Sequence, residues 1–282
     1  MMAVPYNLGT AMPASLDQIV AATRRKVAET RRSADSRALE RRAEKHVPRG
    51  FREKLKKTAE SAVAVIAELK KASPSRGLIR ADFDPEKLAR ELEAAGAAAL
   101  SVLTDEEFFQ GSLENLSIAS ASTHLPCLRK DFMVDEFQLL EARANRADAI
   151  LLIVAALSQA ELMALAAKSR EFGLDVLCEA HDEAELKRAL DAGCDLVGVN
   201  SRDLRTFKVD LETTFRLGEL IPRDVVSVAE SGIHTSADMA RLRAAGYQAF
   251  LIGESLMKSE HPGEALQLLL RTTNEQRRTT VL

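Results

Sequence analysis

Charge of one sign is missing from this chain: 39 Lys and Arg face 42 Asp and Glu, leaving a net charge of −3 over 282 residues. Such a balance gives no general attraction for nucleic acid or anionic lipid, so affinity for an anion must be local. Cysteine is scarce. Cys127, Cys178 and Cys194 are odd in number and widely scattered, with no CxxC pair, which argues against a disulfide framework and a zinc site. All three fall in or beside apolar runs, where buried, inert thiols are the rule. No apolar run approaches the about 20 residues of a membrane span, and no signal-peptide pattern is present. A cytoplasmic protein without membrane or nucleic-acid partners is expected. His46, His124, His181, His234 and His261 occupy helix or loop contexts without metal-ligand pairing, so no metal is expected. No GxGxxG follows the first strand pattern, which argues against a dinucleotide fold.

What is present is an alternation. Eight short apolar runs recur: Ala62–Leu69, Ala98–Leu103, Pro126–Leu128, Ala149–Val154, Asp175–Cys178, Leu196–Val199, Val225–Ala229 and Ala249–Ile252. Helical patterns fill most of the intervals, and several stop at glycine: residues 86–95 at Gly96, 159–172 at Gly173, 183–192 at Gly193 and 237–245 at Gly246. Strands this apolar suit a parallel sheet buried on both faces. Eight such units favour the α/β class, a (β/α)8 TIM barrel, over an open sheet. The 46% hydrophobic content suffices for its core, and the 29% charged residues for its outer helices. A helical pattern starts at Ser15, with Leu16, Ile19, Val20, Thr23 and Val27 on one side and a charged continuation toward Lys45 that reads as a solvated face. A further helical piece is expected over residues 51–58. The expected division is a helical extension at 1–58, a catalytic barrel at 59–272 and a loose tail at 273–282.

In such a barrel the C-terminal strand ends converge on one mouth. Glu68 and Lys70 are two apart at the end of the first strand and so point the same way, just before a loop containing Pro74 and Gly77. Lys130 ends the third strand, Glu179 the fifth, and Asn200 with Arg202 the sixth. Neighbouring cations and desolvation would lower the pKa of Lys130 and suit it to proton donation, although Arg129-Lys130-Asp131 also reads as a solvated loop. Glu179 reads as a base or as a lysine's ion-pair partner. Asn200 and Arg202 suit substrate hydroxyls and a carboxylate. Glu230-Ser231-Gly232 and Gly253-Glu254-Ser255 follow the last two strands, the usual phosphate position of this fold, where glycine lets backbone N–H groups approach an anion.

Four motifs, in order, carry a resemblance: Ile66-Ala-Glu-Leu-Lys-Lys-Ala-Ser-Pro-Ser-Arg-Gly77, Leu128-Arg-Lys-Asp-Phe132, Leu196-Val-Gly-Val-Asn-Ser-Arg-Asp-Leu204 and Ala229-Glu-Ser-Gly-Ile233. They resemble the indole-3-glycerol-phosphate synthase family of tryptophan biosynthesis, from the N-terminal helix to about residue 257. The resemblance implies a cofactor-free, decarboxylating and dehydrating ring closure of 1-(2-carboxyphenylamino)-1-deoxyribulose 5-phosphate, on a barrel whose N-terminal helices help to cover the active site. It implies Lys130 as general acid, Glu179 as base, Glu68 orienting the lysines, Lys70 contacting substrate anions and donating a second proton, and Asn200 and Arg202 holding the substrate with Glu230 and Ser231 beside them. Ser73, Gly232, Gly253 and the backbone at Glu254 and Ser255 would line the phosphate, and Phe132, Leu152 and Leu204 an apolar slot. Two departures stand out: Arg76 where lysine is frequent and Glu254 where serine is, with the Glu254 side chain expected to face away from the phosphate. A fused phosphoribosylanthranilate isomerase is not expected. Monomer and homodimer are both compatible with the resemblance, as is a functional link to tryptophan synthase. Two alternatives remain open at this point: an isomerase of phosphoribosylanthranilate on the same barrel, and a non-catalytic phosphate-binding barrel.

Overall fold

Ala64, Ile66 and Glu68 share one face of β1 (Ala64–Leu69), and Val65, Ala67 and Leu69 share the other. Both faces are buried, so the strand must be covered on each side. The computed structural model describes residues 14–202 and 209–280, with side chains to Thr273. In it β1 is joined by β2 (Ala99–Leu103), β3 (Cys127–Lys130), β4 (Ala149–Ile153), β5 (Asp175–Ala180), β6 (Leu196–Asn200), β7 (Val226–Glu230) and β8 (Ala249–Ile252). Every pairing is parallel and follows chain order, and β8 closes on β1 through the register Ala64↔Ala249 to Ala67↔Ile252. This is the (β/α)8 barrel expected from the eight apolar runs.

Parallel neighbours need crossover connections, and helices supply them. They are α4 (Pro85–Ala94), α5 (Leu113–Ala121), α6 (Phe137–Ala144), α7 (Gln159–Glu171), α8 (Glu183–Asp191), α9 (Leu211–Gly218) and α10 (Ser236–Ala244), followed after β8 by α11 (Glu254–Lys258) and α12 (Pro262–Thr280). Local chemistry starts several of them. Asp84 caps α4 with Pro85 in its first turn, and Ser158 and Glu161 form a reciprocal capping box on α7. Strand residues of one parity, such as Val65, Ala67, Leu100 and Val197, pack outward against the helices. Residues of the other parity, such as Ile66, Leu128, Leu177 and Val228, fill the barrel interior.

The N-terminal pattern splits in two, because Asp35 starts a new helix. α1 (Leu16–Ser33) ends before it, and its side chain caps α2 (Ser36–Glu44). α3 (Phe51–Ser61) is longer than expected and plugs the barrel floor with the fully buried rings and branches of Phe51 and Leu55. α1 is more than a solvated face. Arg24–Glu161 (2.8 Å), Lys26–Glu106 (3.0 Å) and Arg31–Asp135 (3.1 Å) tie it to the first turn of α7 and to two loops that follow barrel strands. α12 also departs from expectation: it runs through the anticipated boundary at 272/273 to Thr280, continuing a helix anchored by buried Leu266 and Thr273.

Candidate active site

Strand register puts the titratable side chains at one level. Lys130 pairs across from Leu103, Glu179 from both Ile153 and Gly198, and Asn200 from Glu230. Each is the last inward-facing residue of its strand or next to it, so apolar layers below give way to polar groups above. Lys130 is the centre. Its Nζ lies 2.8 Å from Glu179 Oε2 and 3.4 Å from Glu230 Oε2. Lys70 Nζ lies 2.6 Å from Glu68 Oε1, which bears out the shared direction of these two side chains.

Two glycines make room for this cluster. A Cβ at Gly198 would run into Glu230 Oε1, and one at Gly253 would meet the Glu68 side chain, with its Cβ and carboxyl carbon at 2.9 Å. Ser231 itself takes a left-handed backbone (φ 64°) as the chain turns off β7.

The electrostatics correct one expectation. The pKa of Lys130 is raised, not lowered. Burial alone would lower it, but Glu179, Glu230 and Glu68 outweigh the burial and hold the ammonium charged. The expectation weighed the nearby cations, whereas the groups that reach Lys130 are carboxylates. Glu179 stays below the usual carboxylate range despite its burial, because Lys130 and His181 favour its charge. Asn200 Nδ2 also donates to Glu179 Oε1 at 3.2 Å. Glu230 goes the other way. Burial, with Glu179 and Glu68 close by, pushes it up to about 8 against the pull of Lys130. Its Oε1 has no hydrogen-bond partner among the described residues, and of the two interacting carboxylates Glu230 is the one that takes up a proton more readily.

Behind Lys130, the Arg129-Lys130-Asp131 stretch is no solvated loop. Arg129 is buried and bonds Asp131 (2.9 Å), Thr104 Oγ1 (3.2 Å) and the Gln138 carbonyl (2.8 Å). That network fixes the end of β3 from the outer side.

The mouth is lined by Glu68, Lys70, Ser73, Lys130, Phe132, Glu179, Asn200, Arg202, Glu230, Ser231, Gly232, Gly253, Glu254 and Ser255, so the structure brings together nearly all the residues expected from sequence. Leu204 lies outside the described residues. Leu152 is a correction: it faces outward into the helix layer, and Leu151 and Ile153 face the mouth instead. Glu254 is a second correction. Its carboxylate is part of the mouth wall, held by Lys258 (2.6 Å), Arg76 (3.1 Å) and, more loosely, Arg202 (3.7 Å). Burial pushes its pKa up, but Lys258, Arg76 and Lys70 outweigh this and keep it below the usual carboxylate range. Arg76 sits on a short hairpin in which Ala72 and Ser73 pair with Leu78 and Gly77, and this places it opposite Glu254.

Further residues, to which the sequence assigns no role in the site, complete its walls. Phe109 approaches Phe132 with ring centroids 6.3 Å apart, and α1 contributes Leu16 and Ile19. Asp105, pushed up to about 6 chiefly by burial, accepts from the Phe108 and Phe109 amides and so shapes the same wall. His181 lies 3.4 Å from Glu179. The Glu179-Ala-His181 spacing, again two apart at a strand end, was the available signal for it.

Fold and site together define an acid–base enzyme on a (β/α)8 barrel. Comparison with known proteins narrows the class: the chain belongs to the indole-3-glycerol phosphate synthase family, whose family model matches residues 16–269. The Koribacter versatilis protein named indole-3-glycerol phosphate synthase is 57% identical over 259 residues, covering 92% of this chain and all of the relative. One of the same name from Desulfotalea psychrophila is 48% identical, covering 91% and 98%. Among solved structures, a thiamine phosphate pyrophosphorylase from Pyrococcus furiosus matches with a TM-score of 0.58 at 16% identity, over 76% of this chain and 96% of that one. A Pediococcus acidilactici lactate oxidase, also at 0.58 and 16%, covers 85% and 87%. At that identity these two speak for the barrel fold alone.

Proposed function

We propose that this protein is an indole-3-glycerol-phosphate synthase, closing the indole ring of 1-(2-carboxyphenylamino)-1-deoxyribulose 5-phosphate with loss of carbon dioxide and water. The observation that carries this reading is Lys130 held charged between Glu179 and Glu230, with the Glu68–Lys70 pair in the same mouth. Membership of the family supports it.

In this reading the carboxylated carbon of the aromatic ring attacks the sugar carbonyl, and Lys130 protonates the oxygen as it becomes a hydroxyl. Departure of carbon dioxide restores the aromatic ring. The hydroxyl then leaves as water with a proton from Lys70, while Glu179 takes the proton whose loss completes the indole double bond. Glu68, 2.6 Å from Lys70, keeps that ammonium aimed and stabilises positive charge. Asn200, bonded to Glu179, and Arg202 hold substrate oxygens, and Phe109 and Phe132 flank the aromatic ring. Ser73, Ser231, Gly232, Gly253 and Ser255 receive the phosphate, which supplies binding energy away from the reacting atoms. Leu16 and Ile19 of α1 help to keep the mouth dry. An isomerase of phosphoribosylanthranilate would have no need of both the Lys130–Glu179 and the Glu68–Lys70 pairs.

The test is to mix the purified protein with the carboxyphenylamino substrate in the presence of a chelator and follow indole fluorescence. Fluorescence rising with release of one carbon dioxide per indole supports the reading. Tight substrate binding with no fluorescence contradicts it.

A further inference from the structure

His181 has no part in the chemistry described so far. The ring lies two residues beyond Glu179, behind the base as seen from the mouth, and its side chain is 14% exposed. Nδ1 is 2.9 Å from Glu185 Oε2, which also accepts the His181 backbone amide at 2.8 Å. Glu185 is fixed in the first turn of α8, where its backbone amide donates to the capping Asp182 Oδ1 at 2.8 Å. The buried Nε2 has no hydrogen-bond partner among the described residues and lies 3.4 Å from Glu179 Oε1.

We propose that His181 is a positioning residue for ring closure: an imidazolium pinned to α8 by Glu185 that fixes Glu179 Oε1 and keeps the base negative throughout the reaction. This role rests on the ring-closure reading above. Both ring nitrogens face carboxylates, and a neutral tautomer would turn a lone pair toward one of them. The charged form therefore fits. Consistently, Glu179 and Glu185 raise His181 to about 10 although burial opposes them. The titratable groups around the ring are Glu179 on β5 and Glu185 on α8, with Lys130 and Glu230 beyond Glu179. The short 3-10 turn Val154–Ala156 that packs on α8 brings no titratable side chain, and Arg188 of α8 is engaged by the Val154 and Leu157 carbonyls.

The physical need arises at the first proton transfer. Lys130 is the cation closest to Glu179, at 2.8 Å, and loses its charge when it protonates the sugar oxygen. Glu179 would then lie buried beside a neutral amine, and its own proton affinity would climb. His181 is not consumed in that step, so its charge keeps Glu179 available as the later base.

The experiment compares wild type, His181→Ala, His181→Gln and Glu185→Gln by indole fluorescence across the pH range, with thermal unfolding in parallel. His181→Ala is expected to lower kcat by roughly ten- to a hundredfold with KM within about threefold, and to move the acid limb of kcat, which reports the substrate complex, up by about one pH unit. His181→Gln, which keeps a donor without the charge, should recover part of kcat but leave the limb displaced. Glu185→Gln should shift the limb the same way by less. If His181→Ala fails to fold, Glu185→Gln decides alone. An unmoved acid limb in the folded variants overturns the proposal, as does a kcat in His181→Ala within about twofold of wild type. A wild type that makes no indole product overturns the ring-closure reading and this role with it. An active wild type with unmoved limbs overturns only the role.

Discussion

Two buried ionic clusters sit at opposite ends of the same barrel and are built on opposite rules. At the floor one carboxylate, Asp148, is fully buried and oversupplied with donors. His46 Nε2 (3.1 Å), the Arg49 amide (2.7 Å), the Arg49 guanidinium (2.6 Å) and the Cys127 amide (2.6 Å) all reach it. Together they outweigh its burial and hold it below the ordinary range. At the mouth three carboxylates, Glu68, Glu179 and Glu230, share Lys70 and Lys130. There one carboxyl is pushed up to about 8, and Glu230 Oε1 lacks a partner among the described residues. Satisfied burial stabilises a fold; unsatisfied, crowded charge leaves protons free to move. The difference separates a structural clasp from a reactive site without reference to any relative.

Breaking the clasp should produce the largest effect on stability. Asp148→Asn leaves Arg49 without its ionic partner and should cost about 3–5 kcal/mol in denaturant unfolding, with kcat of the folded fraction unchanged. The sign of its pH dependence follows from the lowered folded-state pKa. The contribution of Asp148 is complete above an unfolded-state value of about 4 and is lost as pH falls below it, so the gap between wild type and variant should close in acid.

A smaller effect, confined to pH, should follow at the mouth. As pH rises past about 8, Glu230 loses its proton and a further negative charge binds the Lys130 proton more tightly. Turnover should therefore fall on the alkaline side. In Glu230→Gln that limb should vanish from the kcat profile, and a limb that persists unchanged would assign it to another group.

The smallest effect concerns Glu254, which pairs with Arg76 and Arg202 and, on the proposed reading, would compete with substrate anions for them. Glu254→Ser should lower KM by about three- to tenfold with kcat little altered, since the carboxylate weakens binding rather than the reacting step. An increase in KM would mean that Glu254 holds the two arginines in place instead.

The comparison also marks what the sequence could convey. All eight strands are legible as apolar runs, and in five of them a polar residue flags both the terminus and the inward face: Glu68, Lys130, Glu179, Asn200 and Glu230. β4 carries none. Its Ala-Ile-Leu-Leu-Ile run reads alike on both faces, and Leu152 was accordingly placed one residue out of phase with Leu151 and Ile153. The direction of the Lys130 shift was hidden for a different reason. Sequence put lysines, arginine and glutamates in one mouth, but only distance shows that carboxylates make the contacts. Glu254 was misjudged because its orientation depends on Arg76, 178 positions away in the chain but opposite it in space. The Asp148 clasp joins three segments that no local pattern connects.

The most direct test of the central claim is single-turnover ring closure by Lys130→Ala, followed by indole fluorescence, with substrate affinity measured in parallel. The account predicts a loss of turnover of about three orders of magnitude with affinity reduced far less, because the lysine acts on the transition state rather than on ground-state binding. A variant that binds substrate and closes the ring at the wild-type rate would contradict it, and would move the general acid away from the Lys130–Glu179–Glu230 cluster.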